Sequence, residues 1–204
     1  MIRFLVSLHL LLFLGCADSV KESNTIVEEP EPESTPIILE TITSKPVKII
    51  PVIPDGAVFG NYNGDSIPFY ARVRFVDNKN QITYIAFEND FLPQILIPKS
   101  NGGEISKVSL NGFDRDLLLV TAKLKDPNFK KYFLYVLRDN IWKPVMNGFA
   151  IHLTNLAEVD QPFKLNPNNP NELLRYYSVF NLDASNPLGY TWLLLEESVP
   201  IENN

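Results

Sequence analysis

Four acidic side chains are of the type that cleaves glycosidic bonds: Asp114, Asp116, Asp183 and Glu196. Glycan hydrolysis uses two carboxyl groups about 5–10 Å apart, one as a general acid and the other as a base or nucleophile. A deep cleft that holds two of the four at this distance would favour a glycan hydrolase. The hypothesis rests on the fold alone, because no catalytic motif stands out around these residues.

His152 is the only histidine that follows residue 16. Alternation places it opposite the apolar side chains of Phe149 and Ile151, so we expect a solvent-exposed histidine on a strand. A single histidine excludes a His-rich metal site. A Ser-His-Asp triad lacks its usual context, since no serine lies in a Gly-x-Ser-x-Gly elbow. We therefore predict that His152 is not catalytic.

Two loops rich in oxygen atoms, residues 63–66 and 113–116, raise the question of calcium. Ca²⁺ takes about six to eight oxygens that converge on one point, whereas each loop supplies only two or three. Arg115 in the second loop also repels a dication. We expect these side chains to close turns instead. Phosphate-binding glycine loops, dinucleotide fingerprints and Cys-x-x-Cys pairs do not occur, so we predict neither a metal nor a cofactor.

Aromatic side chains crowd the end of the chain, with Tyr176, Tyr177, Tyr190 and Trp192 as the candidate set. On one face of a sheet these rings would form a platform for a sugar or for a partner protein. Alternatively they are ordinary strand residues that pair across hairpins. The sequence leaves both interpretations open.

Strand patterns position all of these candidates. Apolar residues alternate with polar ones over residues 67–75, which is typical of a strand with one buried face. Residues 116–124 are almost wholly apolar and predict a central strand covered on both faces. Asp139-Asn140 suits a tight hairpin turn. A last hairpin pairs residues 173–182 with 189–196.

Helical periodicity is missing from the same region, apart from single turns that residues 155–160 or 169–174 would allow. Prolines predict a loop over 161–171, and they restrict 47–53 to an edge strand. We therefore predict one all-β domain over 47–204. It consists of about ten short, mostly antiparallel strands, arranged as a β-sandwich or a barrel-like meander.

Charge is unevenly distributed along the chain. The formal net charge is −6. Residues 17–55 hold eight acidic and three basic side chains, a net of −5, whereas residues 56–204 hold 16 acidic and 14 basic ones, a net of −2. The predicted domain is thus close to neutral and has no basic stripe of the kind that nucleic-acid binding needs. We predict no nucleic-acid partner.

Residues 16–46 have the composition of a tether. They contain no aromatic side chain and are rich in Glu, Ser, Thr and Pro. Such a segment buries too little apolar surface to offset the entropy lost on ordering. We expect a semi-rigid acidic spacer, with a reach of about 90 Å if extended and about 30 Å as a coil.

The first fifteen residues form a short signal: Arg3, an apolar run over residues 4–14, and then Gly15. The run is too short to span a bilayer, which takes roughly 20 residues, but it fits a secretory signal. Cys16 follows directly and is the only cysteine. An ordinary signal peptide or a buried N-terminal helix are the alternatives.

This stretch resembles the lipobox of bacterial lipoproteins, although Phe13 and Leu14 depart from the preferred residues. The resemblance implies cleavage between Gly15 and Cys16, a diacylglycerol on the Cys16 sulfur and frequent acylation of the new amino terminus. Acyl chains together hold a protein stably on a membrane.

Ala17 stands where an inner-membrane lipoprotein carries Asp. By resemblance, the outer membrane is therefore favoured, facing either periplasm or medium. The expected protein is a lipid-anchored, non-enzymatic envelope lipoprotein that binds an envelope protein or a glycan. The envelope glycan hydrolase is the alternative.

Overall fold

The computed structural model describes residues 52–201, and this part of the chain is almost entirely β-structure. Twelve strands occur within it, arranged in three antiparallel sheets. The predicted all-β fold is confirmed, in the sandwich-like form of the two alternatives. The signal segment, Cys16 and the tether lie outside the described residues.

The first sheet is a meander of four strands in the order β1-β2-β3-β4. The strands are β1 (Val58–Gly60), β2 (Phe69–Asp77), β3 (Ile82–Phe87) and β4 (Ile95–Pro98). Asp77 accepts hydrogen bonds from the backbone and side chain of Asn80, which closes the β2–β3 turn.

The second sheet has five strands in which β5, β6, β7 and β8 are neighbours and β9 pairs with the start of β7. The strands are β5 (Gly103–Val108), β6 (Leu117–Lys123), β7 (Phe129–Arg138), β8 (Ile141–Pro144) and β9 (Phe149–His152). Asp139 and Asn140 have φ of 53° and 59°, so the predicted tight turn between β7 and β8 is confirmed.

The third sheet consists of β10 (Phe163–Asn166), β11 (Asn169–Leu182) and β12 (Tyr190–Pro200). The hairpin β11–β12 keeps an unbroken register over eleven residue pairs, from Glu172↔Pro200 to Leu182↔Tyr190. Short 3-10 helices at Glu88–Asp90 and Leu153–Glu158 follow β3 and β9.

The second sheet lies between two hydrophobic cores. In β6, Leu118 and Val120 pack in the core shared with the first sheet, which includes Phe87. Leu117, on the other face of β6, packs in the core shared with the third sheet, which includes Leu173. The nearly continuous apolar run in β6 is therefore explained by burial on both faces, and the prediction of a covered central strand is confirmed.

Alternation failed at the ends of the first predicted strand. A shift in the β2–β3 register between Val73 and Phe75 marks a bulge, which turns Phe75 outward, where it is 49% exposed. Such an extra residue exchanges the two faces of a strand. Ile67 lies before β2 begins and is also exposed.

The loop that prolines predicted over residues 161–171 was wrong. Residues 161–171 are not a loop, because they contain β10 and the start of β11. Pro167 lies in the intervening turn, and Pro170 lies beyond the end of the ladder with β12. Residues 169–174 are therefore a strand. At the other boundary, residues 52–53 are irregular, and the rest of the proposed edge strand lies outside the described residues.

Candidate functional site

Five rings meet where β7, β9 and the hairpin β11–β12 come together. We call them the aromatic cluster: Phe129, His152, Phe180, Tyr190 and Trp192. The imidazole of His152 stacks on the indole of Trp192, with centroids 5.1 Å apart and planes at 20°. Phe129 meets both rings edge-on at 4.9 Å. Phe180 lies 5.6 Å from Trp192 and 5.3 Å from Tyr190.

Strand register explains why these rings meet. Phe129 of β7 is directly opposite His152 of β9, and Phe180 is directly opposite Trp192. Tyr190 lies two residues before Trp192, so both side chains are on the same face of β12. Phe180 is 54% and Tyr190 37% exposed, which leaves this part of the cluster accessible to a ligand.

Asn155 fixes the 3-10 helix that follows β9 against the hairpin. Its side chain is buried, and Nδ2 donates to Ser178 Oγ at 2.9 Å and to the Trp192 carbonyl oxygen at 3.0 Å. The backbone N–H of His152 donates to the same Ser178 Oγ at 2.8 Å. These three bonds link the backbones of His152 and Trp192 and thereby support the stack of their rings.

His152 differs from its prediction as a solvent-exposed strand histidine. It is the last residue of β9, but its ring is half-buried between Phe129 and Trp192. Its Nδ1 accepts from the backbone N–H of Thr154 at 3.3 Å and lies 2.8 Å from Thr154 Oγ1, which caps the 3-10 helix. The helix begins at Leu153, which is 43% exposed and does not share the buried face of Phe149 and Ile151.

A cleft of about 500 Å³ opens beside the stack. Its walls combine rings of the aromatic cluster with amide, hydroxyl and carboxylate groups. The polar side chains that line it are Asn128, Thr154, Asn155, Glu158, Asn186 and Thr191. Flat rings next to hydrogen-bonding groups suit a ligand that has apolar faces and many hydroxyls.

The predicted aromatic platform is divided by the fold. Tyr190 and Trp192 line the cleft together. Tyr176 and Tyr177 are consecutive on β11 and therefore point to opposite faces. Lys164 Nζ lies 5.4 Å from the Tyr176 ring, and the Arg175 guanidinium lies 5.6 Å from the Tyr177 ring. Both tyrosines thus contact cations outside the cleft.

The predicted platform did not include three rings of the aromatic cluster: Phe129, Phe180 and His152. Phe180 was within reach of sequence reasoning, because the last hairpin, once registered, places it opposite Trp192. Phe129 and His152 come from strands of another sheet, and no local signal connects them with Trp192.

Asp114 and Asp116, two of the four candidate hydrolytic carboxylates, are held by separate partners. Hydrogen bonds from Arg115 and then from Arg138 hold the pKa of Asp114 well below its usual range. Burial alone would raise the pKa of Asp116, but hydrogen bonds from Ser109 Oγ and the Asn61 N–H, with the charge of Lys107, lower it. Both carboxylates are therefore anions with structural partners.

The other two candidates lie far from each other. Asp183 closes the tip of the hairpin, where it accepts from Ser185 Oγ at 2.5 Å. Glu196 Oε2 lies 3.8 Å from Lys164 Nζ. Along β12, Glu196 is six residues from Tyr190, which pairs with Leu182, the residue before Asp183. At about 3.3 Å per residue, this gives a separation of about 20 Å. Asp183 and Glu196 therefore cannot act as a hydrolytic pair.

The two oxygen-rich loops do meet, but around an arginine. The Arg115 guanidinium lies over Gly64, about 3.3 Å from where a Cβ would stand. Asp65 Oδ1 accepts from the Ile67 N–H at 2.8 Å, which closes the expected turn. Over residues 52–201, no group of three His, Cys, Asp or Glu side chains is arranged to hold a metal ion.

No protein-family model matches this chain, and neither does any curated protein or solved structure. Among the described helices, none is both long and apolar enough to cross a membrane.

Proposed function

We propose that this chain is a lipid-anchored lipoprotein of the bacterial cell envelope whose β domain binds glycans without cleaving them. The observation that carries the proposal is the stacked His152–Trp192 pair beside a cleft lined by amides, hydroxyls and one carboxylate. The C–H face of a pyranose ring packs against such an aromatic surface, while its hydroxyls exchange hydrogen bonds with the amides.

The hydrogen bonds of Ser178 and Asn155 favour a binding site that is preformed before the ligand arrives. Ser178 and Asn155 link the backbones of His152 and Trp192 through three hydrogen bonds. The two rings already pack against each other and against Phe129, so a ligand need not order them when it binds. A preorganised site loses less free energy to ordering. Phe180 and Tyr190 extend the aromatic surface toward solvent, which suits a chain of sugars more than a single enclosed one.

The amino-terminal sequence supports the location. Arg3, the apolar run over 4–14, Gly15 and Cys16 resemble a lipoprotein signal. Lipid on Cys16 would anchor the protein to a membrane, with the outer membrane favoured, and residues 16–46 would give the domain reach toward envelope polymers. Mass spectrometry of the membrane form tests the anchor. A diacylated Cys16 at the amino terminus is expected, whereas intact Met1 with an unmodified Cys16 thiol would contradict it.

Calorimetric titration of the full chain with envelope glycans tests the binding. Trp192→Ala should weaken binding by about 2 kcal/mol, or roughly thirtyfold in Kd, as expected for a central aromatic contact. Trp192→Phe retains a ring and should lose less. The matched control is Phe75→Ala, which removes an exposed ring stacked on Tyr84 in the first sheet. Equal affinity of Trp192→Ala and the control would contradict the proposal.

The same mixtures of protein and glycan distinguish glycan binding from glycan hydrolysis, the alternative function. Only Glu158 among the residues that line the cleft carries a carboxylate, and the four candidate carboxylates lie elsewhere. Chromatography of the incubated glycan should show an unchanged chain length. Shortened products that disappear with Glu158→Gln would establish an enzyme instead.

A further inference from the structure

An excess of lysines surrounds the end of the β6–β7 hairpin, on a domain whose net charge is negative. Residues 123–131 contain four lysines and one aspartate, Asp126. The lysines are Lys123, Lys125, Lys130 and Lys131. Lys123 and Lys130 line one groove, and we call these two the lysine patch. Over the described part of the chain, none of the four forms a salt bridge. Lys131 lies over the Phe133 ring at 5.1 Å.

Two of these lysines face each other directly. Lys123 of β6 and Lys130 of β7 are partners in the antiparallel register, and like charges at such positions destabilise a sheet. Glu104 of β5 is opposite Thr121, two residues from Lys123, and it shares a groove with both lysines. One carboxylate leaves a net positive charge there. The Lys123–Lys130 pair does not stabilise the sheet, and binding of an anionic ligand would account for it.

The lysine patch is continuous with the aromatic cluster. A groove of about 330 Å³ is lined by Lys123, Lys130 and Phe129. The Phe129 ring also contacts His152 and Trp192, and the preceding residue, Asn128, lines the cleft. A polymer that extends from the cleft across Phe129 therefore contacts Lys123 and Lys130.

We infer that the ligand is an anionic polysaccharide, whose sugar rings stack in the cleft and whose carboxylate or phosphate groups contact the lysine patch. The inference rests on the proposed glycan binding and adds the charge of the ligand. It predicts that binding has a strong salt dependence, because each lysine–anion contact releases counterions on binding and exposed charges are screened by salt.

The test compares three hexasaccharide-sized probes on the full chain by calorimetry: a neutral glucan, a galacturonate oligomer and a phosphodiester-linked sugar polymer. At least one anionic probe should bind at least tenfold more tightly than the neutral one at low salt. This advantage should vanish in about 0.5 M NaCl, where the Debye length is only a few Å. The two anionic probes show which group the lysine patch prefers.

The double variant Lys123→Gln/Lys130→Gln should lose the anionic preference and keep the neutral affinity. Lys79→Gln/Lys143→Gln is the charge-matched control, with Lys79 in the β2–β3 turn and Lys143 on β8, and should change neither. Relief of the repulsion should also raise the Tm of the first double variant by about 1–3 °C. Equal affinity for neutral and anionic probes would overturn the inference and leave glycan binding intact. Absence of binding to all three would overturn both.

Discussion

Asn155 offers the sharpest test of how the fold positions the aromatic cluster. Its Nδ2 donates two hydrogen bonds, to Ser178 Oγ and to the Trp192 carbonyl, from a side chain that is only 5% exposed. In Asn155→Ala both bonds are lost. Ser178 Oγ still accepts from the His152 N–H, but the Trp192 carbonyl loses this donor.

These contacts determine the expected change in the free energy of unfolding of Asn155→Ala. Two hydrogen bonds at about 1 kcal/mol each, with up to about 1 kcal/mol for a carbonyl left unpaired, give a loss of about 2–3 kcal/mol in the free energy of unfolding. For a domain of this size the Tm should fall by roughly 4–12 °C. Asn155→Asp keeps the size but cannot donate to the carbonyl, so it should be at least as destabilising above the pKa of the new carboxyl group.

Urea denaturation and calorimetry measure the change. The matched control is Asn78→Ala, which removes an exposed amide in the β2–β3 turn and should stay within about 0.5 kcal/mol of the unmodified protein. Weaker glycan binding by Asn155→Ala is expected as well, because Trp192 is no longer fixed. A loss of unfolding free energy below about 0.5 kcal/mol would refute the assigned role of Asn155.

Two further predictions concern the first core and its edge. Gly60→Ala would place a Cβ 2.6 Å from the buried ring of Tyr62 and should cost about 1–3 kcal/mol by overpacking, measured by urea denaturation. Gly112→Ala places a Cβ in open space at a φ of 92°, so its loss reports backbone strain alone. A loss below about 0.5 kcal/mol in Gly60→Ala would contradict the steric argument. Because the pKa of Asp116 is lowered in the folded protein, its contribution is complete above the ordinary carboxyl pKa of about 4 and is lost as pH falls through the lower folded value. Asp116→Asn should therefore flatten the acid limb of the unfolding free energy measured between about pH 5 and pH 2, and an unchanged acid limb would exclude this role.

Alternation and turn chemistry predicted most of the strands. Leu117 and Leu118 pack in different cores, as expected for a strand that is apolar on both faces. Asp139-Asn140 takes the positive φ that its residue types allow. These features were accessible because strand alternation and turn conformation are local properties of the chain.

Errors arose where a tertiary contact overrides the local pattern. The bulge that exposes Phe75 depends on the partner strand β3, and nothing in the alternation of β2 marks it. Pro170 is tolerated in β11 because the β12 ladder reaches only Glu172, although proline by itself indicates a loop. A local rule therefore misplaced the boundaries of β10 and β11.

The candidate site was predictable only in its hairpin part. Tyr190 and Trp192 were identified because they are close in sequence, and Tyr176 and Tyr177 were grouped with them for the same reason. Strand geometry separates the second pair, since consecutive residues point to opposite faces. His152 reaches Trp192 through the side-by-side approach of β9 and β11, which Ser178 secures, and this contact between sheets has no counterpart in the sequence.

The fluorescence of Trp192 is the most direct test of glycan binding in the cleft. The sequence has two tryptophans, and Trp142→Phe leaves Trp192 as the only one, which is excited selectively at wavelengths that tyrosine does not absorb. Titration with the glycan should shift its emission to shorter wavelength and protect it from a soluble quencher, because a sugar ring would cover the indole. Unchanged emission and quenching at glycan concentrations where calorimetry detects binding would place the ligand elsewhere and contradict the central claim.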